Sequence, residues 1–145
     1  AFRREVQRAV RHQRPIALLV IDVDFFKRIN DRFGHLVGDE VLRAIGQRFS
    51  ERTRGDEVLA RIGGEEFATA LPEVSLENAV KLAEELHDAI GDRPFSTSRG
   101  QVKATVSIGV AHFDGRSAIS SGELIDRADK KLYEAKHSGR NQVKW

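Results

Sequence analysis

The chain has 145 residues, enough for one domain with a core of its own. At 40% hydrophobic and 32% charged it is neither disordered nor fibrous, and a net charge of +2 argues against nucleic acid or an anionic membrane as its main partner. No cysteine is present, which excludes a disulfide framework and thiolate metal sites and suits a reducing compartment.

Residues 2–13 read as a basic helix, with Phe2, Val6, Ala9 and Val10 at helical spacing and Pro15 as its stop. The chain begins in this helix with charged residues, no apolar leader and no initiator Met, so residues 1–145 are expected to be a single domain excised from a longer protein. Ile16 to Ile21 is the longest unbroken apolar run, far short of the ~20 residues of a membrane helix. Its β-branched content predicts a buried central strand with Asp22 and Asp24 at the exit. Phe25 to Phe33 reads as a short helix closed by Gly34, and Val37, Val41, Leu42, Ile45 and Phe49 stripe a longer one.

Val58 to Ile62 and Phe67 to Leu71 are short strand patterns flanking Gly63-Gly64, a hairpin signal. A helix from Ser75 to Gly91 turns Leu76, Ala79, Val80, Ala83, Leu86 and Ile90 inward. Val102, Ala104, Val106, Ile108 and Val110 alternate as in a strand covered on one face. Ser120 with Glu123 predicts a capping box for a last helix whose core face is Leu124, Ile125, Ala128 and Leu132. Gly139 ends that helix, and residues 141–145 read as a short edge strand. The order is β-α-α-β-β-α-β-α. A hairpin forces antiparallel pairing, so the expected class is α+β, a mostly antiparallel sheet flanked by helices.

The chemistry gathers at two places in this order. Asp22 and Asp24 leave the central strand on the same side, and Glu65 and Glu66 follow the double glycine, which permits positive φ and close ligand approach. With the hairpin beside the first strand, three or four carboxylates converge, a crowding that a hard cation such as Mg²⁺ relieves. Taken singly, Gly63-Gly64 is an ordinary turn, Asp22 suits a helix cap as well as a ligand, and the two glutamates suit a solvated turn. The combination is what singles out the site.

Three segments carry a resemblance. Residues 22–39, from Asp22-Val-Asp-Phe-Phe-Lys to His35-Leu-Val-Gly-Asp39, resemble the first signature block of GGDEF domains. Arg61-Ile-Gly-Gly-Glu-Glu-Phe67 resembles their namesake hairpin in its Glu variant, and Tyr133-Glu-Ala-Lys-His-Ser-Gly-Arg-Asn141 their C-terminal block. The resemblance implies a fold like the nucleotidyl-cyclase palm and a diguanylate cyclase that condenses two GTP into cyclic di-GMP with release of pyrophosphate. It implies Mg²⁺ (or Mn²⁺) held by Asp22, Glu65 and the Val23 carbonyl, with Glu66 as a further ligand or as the base. Asn30 and Asp39 match the guanine readers. Phe25 and Phe26, through their amides, and Lys27, Lys136 and Arg140 match the phosphate contacts, while His35 fits the pattern and is read as structural.

Catalysis is then expected in a homodimer, one GTP per domain, in the cytoplasm, either free or tethered to the inner membrane through other domains. Arg54 and Glu57 stand where the family often has an Arg-x-x-Asp product-inhibition site, but Glu replaces Asp and puts product binding there in doubt. Two other functions compete. A catalytically silent GTP- or cyclic di-GMP-binding module usually loses hairpin carboxylates, which are present here. A phosphoacceptor receiver needs an Asp closing a third parallel strand, where this chain has the glycine hairpin.

Overall fold

The structure is a computed structural model that describes residues 2–53, 57 and 59–145. In chain order it contains α1 (Phe2–Arg11), β1 (Ile16–Val23), α2 (Phe26–Phe33), α3 (His35–Ser50), β2 (Ala60–Arg61), β3 (Glu66–Pro72), α4 (Leu76–Gly91), β4 (Phe95–Thr97), β5 (Gly100–Val102), β6 (Val106–Phe113), α5 (Ser121–His137) and β7 (Val143–Lys144). The main sheet has the order β2-β3-β1-β6-β7, antiparallel except where β7 runs parallel to β6. The expected α+β architecture is the observed one.

All eight residues of β1 are buried. Alternation divides them: Ala17, Leu19, Ile21 and Val23 face a core shared with Val37, Val41, Ile45, Phe49, Leu86 and Ile90 of α3 and α4. Ile16, Leu18 and Val20 face Val6 and Ala9 of α1 and Leu124, Ala128 and Leu132 of α5. A strand sandwiched between two helical layers reads as a continuous apolar run, which is why the sequence marked it as central. The Ser caps also follow local chemistry: Ser75 and Ser120 Oγ accept the backbone N–H of Asn78 and Glu123, each at 3.1 Å.

Several local expectations change. The alternating run from Val102 to Val110 is two elements, because Val102 pairs with Phe95 in a separate hairpin of β4 and β5, while β6 begins at Val106. β6 is covered on both faces, not one, since α5 and α4 lie on opposite sides of it. Leu76 is 39% exposed rather than inward. Val58 lies outside the described residues, and the strand read over 58–62 is Ala60–Arg61 among those described. Among the described residues no helix is long and apolar enough to cross a membrane.

A buried arginine ties α3 to the end of α4. Arg48 is 7% exposed, and its guanidinium donates to the carbonyls of Ala89 (2.9 Å), Ile90 (3.2 Å), Arg93 (3.0 Å) and Pro94 (2.9 Å). Its Cζ stacks 3.7 Å from the centroid of Phe95. The carbonyls at a helix C-terminus have no intrahelical donor, and a planar five-donor fork can satisfy several together. Arg48→Ala is expected to lower unfolding free energy by about 2–4 kcal/mol in urea titrations, and Arg48→Lys by about 1–2 kcal/mol, because an ammonium keeps the charge but not the fork.

Candidate active site

The placement of α5 decides the geometry of the site. A Cβ at Gly109 would collide with the backbone of Ala128 and Leu132, so its absence lets α5 lie directly on β6. One turn beyond Leu132, Lys136 Nζ reaches Asp22 Oδ2 at 3.2 Å. Asp22 is 4% exposed and sits directly across from Glu66 on β3 and Ser107 on β6, so all three side chains leave the sheet on the α5 face. Burial, partly offset by Lys136 and reinforced by Glu65 and Glu66, pushes the Asp22 carboxyl up from its ordinary 3.8 to about 6.

The turn that carries Glu65 is stitched to β1: Val23 N–H donates to the Glu65 carbonyl at 3.2 Å. In an extended strand a residue's N–H and C=O point the same way, so the Val23 carbonyl also faces the hairpin. Neither Gly63 nor Gly64 adopts positive φ, so the backbone freedom expected of them is not used. Arg61 holds the turn instead, donating from Nε to the carbonyls of Gly63 (3.3 Å) and Gly64 (3.0 Å). Asp24 is not a free member of the acidic group. Its carboxylate accepts Thr105 Oγ1–H at 2.7 Å, Ser107 Oγ–H at 2.6 Å and Asn141 N–H at 2.9 Å.

Asn30 and Asp39 are brought together by Gly38. The Asn30 amide occupies the place where a Cβ on Gly38 would sit, with Phe26 Cζ also at 3.0 Å from that position. Among the described residues Asn30 Oδ1 is the buried side-chain polar atom without a hydrogen-bond partner. Asp39 is exposed on the next position, and a groove of about 410 Å³ runs beside it, lined by Leu42, Arg43, Gly46, Arg61 and Phe67. Gly38 escaped the sequence reading, and its only signal was a glycine inside a helical pattern.

Phe25 closes β1's exit in a left-handed conformation, φ 54°, and starts α2 without a side-chain cap. Arg28 N–H is the first amide bonded back into the helix, at 2.9 Å to the Phe25 carbonyl, so the amides of Phe25, Phe26 and Lys27 ahead of it have no intrahelical acceptor. The Phe25 ring, 49% exposed, carries the Arg28 guanidinium at 4.2 Å and that of Arg140 at 4.9 Å. Lys27 is exposed, and Lys136 is committed to Asp22. His35 is exposed at the start of α3 with no side-chain partner among the described residues, so the structural role expected of it has no support. Arg54 lies outside the described residues, whereas Glu57 lines a groove of about 640 Å³ with Arg43, Gln47 and Glu51 of the α3 side.

The family model described as "Diguanylate cyclase, GGDEF domain" matches residues 1–142. The chain belongs to the GGDEF family. It is 44% identical over 140 residues to diguanylate cyclase DgcP of Pseudomonas aeruginosa, covering 96% of this chain and 20% of that protein. The active GGEEF domain of a diguanylate cyclase from Vibrio cholerae superposes with a TM-score of 0.87 at 34% identity, covering 99% of this chain and 90% of that one. The GGDEF domain of DgcB from Caulobacter crescentus, solved in complex with c-di-GMP, does so with a TM-score of 0.87 at 31% identity, covering 99% and 84%. This GGDEF chain spans 20% to 35% of the length of the curated relatives first matched.

GGDEF cyclases are metal-dependent, and the donor set fits a hard divalent cation. Asp22, Glu65, Glu66 and the Val23 carbonyl offer oxygens alone, around a buried carboxylate compensated by one ammonium. They are not drawn tightly together. Among the described residues, the His and carboxylate group whose ligand atoms lie within 4.8 Å of one another is Glu84, His87 and Asp88 on α4.

The Asp22 shift has a consequence for stability. Its folded value of about 6 lies above the unfolded 3.8, so the proton is held more tightly in the folded chain. The stability carried by the neutral carboxyl is complete below about pH 4 and is lost as pH rises through 6. In EDTA, Asp22→Asn is therefore expected to raise stability by about 1–3 kcal/mol at pH 7 and to change little at pH 4, as read by urea unfolding at both pH values.

Proposed function

We propose that the chain is the catalytic part of a longer diguanylate cyclase, condensing two GTP into cyclic di-GMP and two pyrophosphates. The observation that carries this reading is Asn30 Oδ1, a buried acceptor without a donor beside the free carboxylate of Asp39. The guanine edge has the donors that complete it. Asp39 takes N1–H and one amino hydrogen, and Asn30 takes the second. Adenine lacks this pattern and leaves both groups mispaired, which is how a polar pocket rejects the wrong base.

With the base held there, the triphosphate lies toward the first amides of α2 and the cations Lys27, Lys136 and Arg140. Asp22, Glu65, Glu66 and the Val23 carbonyl would hold Mg²⁺ (or Mn²⁺), whose charge would lower the hydroxyl's pKa and stabilise charge developing on phosphorus. In each of two attacks, a 3′-oxygen forms a bond to the α-phosphorus of the other GTP. The bond from that phosphorus to the pyrophosphate oxygen breaks, and pyrophosphate leaves. The hydroxyl proton passes to a hairpin carboxylate, Glu65 or Glu66. One chain offers one guanine site, so two chains face each other across the reacting atoms, and the supply of GTP sets the reaction in the cytoplasm.

The test is cyclic di-GMP formation from GTP and Mg²⁺ by the chain fused to a dimerising partner. Asp22→Ala and Glu65→Ala are each expected to lower the rate roughly 10²-fold or more, and wild-type activity per chain should rise with enforced dimerisation. No product from the enforced dimer overturns the cyclase reading, with tight GTP binding alone marking a silent module. Gly38→Ala separates base recognition from chemistry. It gains about 1 kcal/mol of helix propensity, yet it should cut GTP affinity roughly tenfold by expelling the Asn30 amide, measured by calorimetry against ATP.

A further inference from the structure

The turn between α5 and β7 contains Arg140, at φ 62°, and Asn141, at φ 49°. Two successive non-glycine residues in the left-handed region cost roughly 1–3 kcal/mol each unless the surroundings hold them. Here they are held from three directions. Arg140 N–H donates to the Ala135 carbonyl at 2.9 Å, and Gln142 Nε2 donates to the carbonyls of Ser138 (2.7 Å) and Arg140 (2.9 Å). Asn141 N–H donates at 2.9 Å to Asp24 Oδ2, whose carboxylate is itself locked to β6 by Thr105 and Ser107. On its other side, Asn141 Oδ1 meets His87 Nε2 of α4 at 2.7 Å, and His87 Nδ1 meets Asp88 Oδ1 at 3.1 Å.

Asn141 thus ties together, by hydrogen bonds, Asp24 just beyond β1, His87 in the last third of α4 and the α5–β7 turn. The strained residue beside it is Arg140, whose guanidinium lies over the Phe25 ring at the mouth of α2. Phe25 is itself left-handed and exposed, and Arg28 covers it as well. Two cations are therefore set on one aromatic platform next to open helix amides, before any anion arrives. Guanidinium–aromatic stacking fixes the plane of the fork, which is what an oriented bidentate phosphate contact needs.

We propose that Asn141, anchored by His87 and Asp24, is a positioning residue that holds the left-handed turn so that Arg140 is presented, preset on Phe25, to the triphosphate of the bound nucleotide. This rests on the reading of the site as a GTP site. It adds that an α4 residue remote from the acidic centre governs triphosphate affinity through the turn. His87 carries the tether with both ring nitrogens engaged, one by an amide oxygen and one by a carboxylate, and its pKa is raised by those hydrogen bonds against the opposing effect of burial, the largest single influence. Within the Glu84, His87 and Asp88 group, His87 and Asp88 are on this account the anchor of Asn141, both ring nitrogens of the histidine being engaged.

The experiment compares equilibrium binding of a non-hydrolysable GTP analogue and of GMP, in Mg²⁺, by wild type, Asn141→Gly, Asn141→Asp, His87→Ala, His87→Gln and the double variant Asn141→Gly/His87→Ala. Glycine keeps the left-handed backbone and the N–H to Asp24 but removes the oxygen facing His87. Asparagine to aspartate keeps that oxygen, and glutamine at position 87 keeps a donor. Asn141→Gly and His87→Ala should each weaken the triphosphate analogue roughly tenfold while leaving GMP within about twofold, and the double variant should be no weaker than either single one. Asn141→Asp and His87→Gln should restore most of the affinity. Equal loss for GMP and the triphosphate, full additivity in the double variant, or unchanged triphosphate affinity in His87→Ala overturns the proposal. The His87 variants alone decide the matter should Asn141→Gly unfold. A wild type that does not prefer the triphosphate to GMP instead refutes the nucleotide reading beneath it.

Discussion

The contact on which the site depends is between two backbones, that of α5 and that of β6 at Gly109. Helix and sheet normally stand apart by the length of interdigitated side chains. Here a missing methyl lets the helix settle directly on the strand. Two things follow from that single approach. Lys136 reaches a carboxylate at the end of a buried strand, and the turn after α5 comes within hydrogen-bonding range of Asp24. The acidic centre and the basic turn are therefore both placed by one packing contact on β6, two residues from the Ser107 that faces Asp22.

That arrangement leaves an electrostatic debt in place. Asp22 is buried with a single ammonium for compensation, and two further carboxylates lie near enough to raise its pKa. Asp24, two residues on, shows what the same chain does with a carboxylate used in the framework: three donors satisfy it. The contrast between these acids separates a buried carboxylate compensated by one ammonium from one held by three donors.

What was legible in the sequence was local. β1, the helix stripes and both Ser caps follow from periodicity and from side chains bonding within a few positions. What was hidden is long-range. Arg48 looked like one more charged residue on α3, because its carbonyl partners lie beyond the end of a different helix. Asp24 reads as one more member of the acidic group, since nothing near it in sequence announces Thr105, Ser107 or Asn141. The alternation through Ala104 counterfeited one long strand, because burial continued where the pairing had already changed sheets. Gly38 was silent for the same reason, as its neighbour Asn30 belongs to the preceding helix.

The central position of β1 also has a cost during synthesis. Its register partners run from Glu66 to Pro72 on one side and from Val106 to Phe113 on the other. At ribosomal rates an apolar strand lacks its β6 partner for roughly five to twenty seconds after it is made. Until β3 is made both edges of Ile16 to Ile21, a segment of high β-propensity, are open, and until β6 is made one edge remains so, the signature of intermolecular pairing. Arg11, Arg14 and Pro15 stand immediately before it and Asp22 and Asp24 immediately after. Such residues act as gatekeepers against aggregation, so the acids that end this strand guard the nascent chain before they take part in any site.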